Sequence, residues 1–128
     1  MTNADVGILG EDFATEYYTK HGYELVFRNY HSRYGEIDVI VKNEECIAFV
    51  EVKTRSTYLF APGREAVDTK KQKKIILTAM QYLQENDVQL QPRFDVFEVM
   101  QKDGIVNKFH LIKNAFDLTD FGADYGLF

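Results

Sequence analysis

"YGEIDVIVKNEECIAFVEVKTR", residues 34–55, decides the fold: two apolar runs, 36–42 and 46–54, flank the polar residues Asn43, Glu44 and Glu45. Runs this rich in Ile and Val around a short polar break predict a β-hairpin. Side chains alternate across a strand, so Ile37, Val39 and Val41 share one face and Glu36, Asp38 and Ile40 the other. In the second run Ala48, Val50 and Val52 lie together, opposite Ile47, Phe49, Glu51 and Lys53. A turn centred on Glu44-Glu45 sets Asp38 across from Glu51 and Glu36 across from Lys53, with opposed Cβ atoms roughly 4.5–5.5 Å apart.

Two carboxylates facing each other in a sheet repel, and Glu36 beside Lys53 compensates only in part. A hard divalent cation resolves the conflict. Mg²⁺ accepts carboxylate oxygens at roughly 2.0–2.1 Å and keeps waters for chemistry. An ammonium beside the ion suits an anionic substrate, and the set matches metal-assisted phosphodiester hydrolysis. Taken singly, each acid also reads as solvated surface charge. Ile40, Ile47 and Phe49 on the same face favour burial, and buried acids need partners.

Working outward, Leu9, Phe13, Ala14, Tyr17 and Tyr18 recur at helical spacing, and His21-Gly22 is a stop signal, predicting a helix over about 7–21. Tyr23 to Tyr30 reads as a strand and "HSRYG" as a loop. Pro62 and Gly63 break up "STYLFAPGR". A second helix is expected from Asp68, its N-cap, to Glu85, with an apolar stripe of Ile76, Ala79, Met80 and Leu83. Arg93 to Met100 and Ile105 to Ile112 alternate as strands about a "KDG" turn. The order αβββαββ implies an α/β layered domain, a mixed sheet with helices packed on it. Residues 1–116 form one domain, and 117–128 an acidic, glycine-punctuated tail.

A chain of 128 residues is long enough for a real core without disulfide or metal support. The single cysteine, Cys46, excludes an internal disulfide and favours a reducing compartment. With no leader pattern and no apolar run of spanning length, the expected location is the cytoplasm, with no membrane partner. Formal charge is -5, yet between Lys53 and Lys74 seven basic residues stand against Glu65 and Asp68, making that segment +5. A basic surface on an acidic protein suits phosphate; a solvated lysine-rich helix start is the competing reading. Cys46, His21, His31 and His110 lack zinc-ligand spacing.

"GEIDVIV" followed by "FVEVKTR" resembles the signature of the YraN family. These small bacterial proteins are similar to Holliday-junction resolvases, within the PD-(D/E)xK nucleases of restriction-endonuclease-like fold. The similarity extends to "GILGEDFATEYYTKHGYELVFRNY", "EAVDTKKQKK" and "RFDVFEV", nearly the whole chain up to Phe116. The resemblance implies a three-layer core and a Mg²⁺- or Mn²⁺-dependent endonuclease acting on DNA, branched DNA included, with a homodimer as one assembly. Asp38 and Glu51 would hold the metal with the main-chain carbonyl of Val52. Lys53 would orient water or stabilise charge on the phosphate. Glu11 matches an acid contributed by the opening helix of related resolvases; a first-turn glutamate favoured by the helix dipole is the alternative. Gln72 points inward and either touches the site or satisfies backbone groups. Arg33, Arg55, Arg64, Lys70, Lys71 and Lys74 are candidate phosphate contacts, which position nucleic acid without reading sequence. Ile37 stands where the wider superfamily carries proline. A catalytically weak binding module on the same scaffold, or a dimeric scaffold protein, are the rival functions.

Overall fold

The computed structural model describes residues 1–56 and 67–117. Their order is α1 (Asn3–Lys20), β1 (Glu24–His31), β2 (Glu36–Lys42), β3 (Cys46–Arg55), α2 (Thr69–Glu85), β4 (Gln91–Lys102) and β5 (Ile105–Phe116). The expected αβββαββ order holds. The strands form one mixed sheet in sequential order, antiparallel except where β3 meets β4 in parallel. That parallel pairing requires a crossover, and α2 lies within it. Arg64, with Tyr58 and Phe60 of its loop, and all of the expected tail after Asp117 lie outside the described residues.

The two helices cover opposite faces. Ala14 and Tyr18 of α1 pack on Val39, Val41, Ala48, Val50, Phe97 and Val99. Ile75, Ile76, Ala79 and Tyr82 of α2 pack on Ile37, Ile40, Ile47, Phe49, Phe94 and Val96. The buried stripe of α2 thus includes Ile75 and Tyr82, whereas Met80 and Leu83 of the expected stripe are only partly buried. Helix α1 also begins earlier than its apolar spacing suggests. Thr2 accepts from Asp5 N–H and Asp5 accepts from Thr2 N–H, a capping box that starts the helix at Asn3. It ends where Tyr23 N–H bonds Tyr18 O and Gly22 N–H bonds Thr19 O, with Gly22 at φ 87°. This is the Schellman geometry that glycine permits.

Turn chemistry sets the hairpin registers. Asn43 Oδ1 accepts from the N–H groups of Glu45 and Cys46, each at 2.9 Å, closing the β2–β3 turn where the sequence placed it. Asp103 and Gly104 both have positive φ, as a two-residue hairpin turn between Lys102 and Ile105 demands. Among the described residues no helix is long and apolar enough to cross a membrane.

Candidate metal and phosphate site

Strands β2 and β3 pair from Lys42–Ile47 to Val39–Val50, the offset expected from the turn, and there the ladder stops. The next positions in register are Asp38 and Glu51. Past the ladder's end, the N–H of Val52 donates to Asp38 Oδ2 at 2.8 Å. The carboxylate thus supplies the acceptor that a continued ladder would have given. In a strand a residue's N–H and C=O point to the same side, so the Val52 carbonyl faces the β2 side as well. Meanwhile β3 stays paired with β4 along its whole length, Cys46–Gln91 through Arg55–Met100. The opening is confined to the β2 side.

On β1, Asn29 stands between the pairs Arg28–Val39 and Tyr30–Ile37, which sets it across from Asp38. Its φ is 54°, in the left-handed region that few residues other than Gly and Asn adopt. The alternation of β2 slips at the same point. Ile37 packs with Ile40 on the α2 side rather than with Val39 and Val41. Glu36 pairs with His31 on the β1 side, with His31 Nδ1 3.3 Å from its carboxylate, and lies beyond the end of the β2–β3 ladder. Simple alternation fails here because β2 has lost one neighbour and follows the distorted strand on its other side.

Glu51 is 5% exposed. Its Oε1 lies 3.8 Å from Lys53 Nζ and 3.7 Å from Lys71 Nζ. Its Oε2 is buried with no hydrogen-bond partner among the described residues. Burial, then the Asp38 charge, push the Glu51 carboxyl up to about 7, and the two lysines pull the other way. Asp38 is pushed up to about 6, chiefly by burial; the Val52 N–H opposes this, while Glu11 and Glu36 add repulsion. Two acids that resist ionisation together, one with an orphaned oxygen, are a donor set that a divalent cation satisfies. Among the described residues no group of three or more His, Cys, Asp or Glu could hold a metal. Mg²⁺, which takes one or two carboxylates and fills its remaining positions with water and substrate oxygens, is a cation that such a pair could hold.

Glu11 arrives on α1, which approaches β3 closely at Gly10. A Cβ at Gly10 would run into the Thr54 hydroxyl. Glu11 is near enough to repel Asp38, yet its carboxylate is also 3.4 Å from the Arg28 guanidinium, which bonds Asp12 at 2.7 Å. Gln72 is buried on α2 and donates to the Val67 carbonyl at 2.7 Å, the backbone-satisfying role. Arg55 is half-buried, with Nε 3.4 Å from the carboxylate of the fully buried Glu98. Arg33 lies over the Tyr34 ring and bonds its hydroxyl at 2.6 Å, beside a groove lined by Leu77, Met80 and Gln81 of α2. Lys70 and Lys74 are exposed on α2.

Lys71 of α2, expected among the phosphate contacts, stands with its ammonium 3.7 Å from Glu51. The sequence places Lys71 one helical turn before the apolar Ile75, but only the structure shows that Ile75 is buried. Asp95 was also missed. Fully buried, it accepts from the Tyr18 hydroxyl at 2.7 Å, the Arg93 guanidinium at 2.9 Å and the Asn114 N–H at 3.0 Å. With every contact answered within the fold, it reads as structural.

Fold and site together define an α/β protein whose mixed sheet opens over a buried carboxylate pair flanked by lysines. The chain belongs to the family described as Uncharacterised protein family UPF0102, whose profile matches residues 10–99, a span holding all of these residues. It is 42% identical over 119 residues to a UPF0102 protein of Trichlorobacter lovleyi, covering 91% of this chain and 94% of that one. To a UPF0102 protein of Persephonella marina it is 43% identical over 110 residues, 85% and 90% of the two chains. A relative from Sulfurihydrogenibium sp. is 43% identical over 119 residues, 92% and 99% of the two.

Proposed function

We propose that this protein binds nucleic acid and hydrolyses DNA phosphodiester bonds with Mg²⁺ or Mn²⁺, as a member of the PD-(D/E)xK nucleases. The observation that carries the reading is that Asp38 and Glu51, the positions just past the end of the β2–β3 ladder, are buried close enough for the Asp38 charge to act on Glu51, with Lys53 3.8 Å from Glu51. Asp38, Glu51 and the Val52 carbonyl would hold the ion. A divalent cation there supplies positive charge for the phosphate and acidifies a bound water. Lys53, half-buried beside Glu51, keeps an ammonium where negative charge grows on the phosphate. Asp38 is oriented by Val52 N–H, so its geometry is set before any ligand arrives. Lys70 and Lys74 supply sequence-independent attraction for the backbone.

The test is a panel of branched, single-stranded and duplex DNAs incubated with Mg²⁺ or Mn²⁺, comparing the native protein with Asp38→Ala and Lys53→Ala. The expected result is metal-dependent cleavage lost in both variants; cleavage surviving both substitutions refutes the assignment. Salt-dependent binding without cleavage supports the second reading, a binding module on the same scaffold.

A further inference from the structure

Two lysines from different elements converge on a single oxygen. Lys53 comes from β3 and Lys71 from the first turn of α2, and their ammonium groups lie 3.8 Å and 3.7 Å from Glu51 Oε1. Both side chains are about equally exposed, at 37% and 38%, so each reaches from a half-buried stem to the edge of the opening. The other oxygen, Oε2, is buried with no hydrogen-bond partner among the described residues. At these separations the contacts are charge attraction rather than tight hydrogen bonds. The backbone beneath Lys71 is anchored, because its N–H donates to the N-cap Asp68 at 2.8 Å.

We propose that Lys71 is the resident counter-ion of the carboxylate pair, competing with a divalent cation for Glu51 and releasing its ammonium to a phosphate when the cation binds. The inference rests on the metal-site reading above and goes beyond it, since it gives Lys71 a role distinct from that of Lys70 and Lys74. A positive charge fixed beside Glu51 opposes a second cation at the same carboxylate. Removing it strengthens cation binding while removing one phosphate contact.

The test is calorimetric titration of Mn²⁺ into the native protein, Lys71→Met, Lys71→Arg and Lys70→Met at pH 8 and low salt. Lys70→Met loses the same charge one residue away but leaves Glu51 untouched. The expected result is Mn²⁺ affinity roughly three- to tenfold tighter in Lys71→Met, with Lys70→Met and Lys71→Arg near native. In parallel, fluorescence anisotropy with a labelled duplex should show Lys71→Met weakening binding in Ca²⁺ but not in EDTA, and Lys70→Met weakening both alike. Native-like Mn²⁺ affinity in Lys71→Met overturns the role of Lys71 while leaving the metal site standing. An equal gain in Lys70→Met overturns it too, since the effect is then one of net charge. Absence of Mn²⁺ heat from the folded native protein and from Lys71→Met overturns the metal-site reading itself.

Discussion

Replacing Glu51 by glutamine removes one titrating charge from the buried pair while keeping the side chain's size. The ordinary value of this carboxyl is 4.5 and folding pushes it up to about 7. The folded state therefore binds the proton more tightly than the unfolded chain. The stability this confers is complete below about pH 4.5 and is lost as pH rises through about 7. At about 1.4 kcal/mol per pH unit, the native protein forfeits roughly 3 kcal/mol across that window, and Glu51→Gln does not. For a domain of this size that corresponds to about 10 °C in melting temperature. The assay is thermal unfolding followed by circular dichroism, with EDTA present, from pH 4.5 to 8.5. The melting temperature of Glu51→Gln minus that of the native protein should rise by about that amount between the two ends. Added Mn²⁺ at pH 8 should then stabilise the native protein and leave Glu51→Gln nearly unmoved. Parallel curves for the two proteins across the pH range would refute the claim that burial and the Asp38 charge oppose ionisation here.

Other consequences are equally direct. Gly10→Ala forces a methyl group into the Thr54 hydroxyl and should lower stability by about 1–3 kcal/mol, read as a shifted urea midpoint. Tyr18→Phe removes the buried bond to Asp95 and should cost about 1–2 kcal/mol at constant m-value. Thr2→Ala breaks the capping box and should cost about 1 kcal/mol, with hydrogen exchange accelerated in the first turn of α1 and unchanged in β3. Asp38→Ala leaves the Val52 N–H without its acceptor, so that amide should exchange faster than in Asp38→Asn, whose side-chain oxygen still accepts.

Much of the fold was legible because its signals are local. Apolar spacing marked α1 and α2, alternation marked the strands, and "NEEC" and "DG" carried the chemistry of their turns. The Asp38–Glu51 juxtaposition followed from one turn and one count of residues, and the ladder agrees with that count. The details that failed sit where local rules meet long-range packing. Ile37 changed sides next to Asp38, where the β2–β3 ladder has ended and the positive-φ Asn29 stands across on β1. Glu36 also meets His31 of the neighbouring strand, and Arg55 lies beside Glu98 of another, contacts that no local period marks.

What the sequence determined by itself is the inventory and its order: seven elements, a hairpin of known register, and two acids with a lysine at its open end. These depend on residues within a few positions of one another, where backbone geometry leaves few choices. The tertiary structure decided which groups meet across the fold. Pairing β3 in parallel with β4 through α2 swings Lys71 onto Glu51, although twenty positions separate them in the chain. Ending the β2–β3 ladder at Val39–Val50 leaves the Val52 amide to the Asp38 carboxylate. Neither is written in any local period, because both arise from how buried faces are shared between elements distant in sequence.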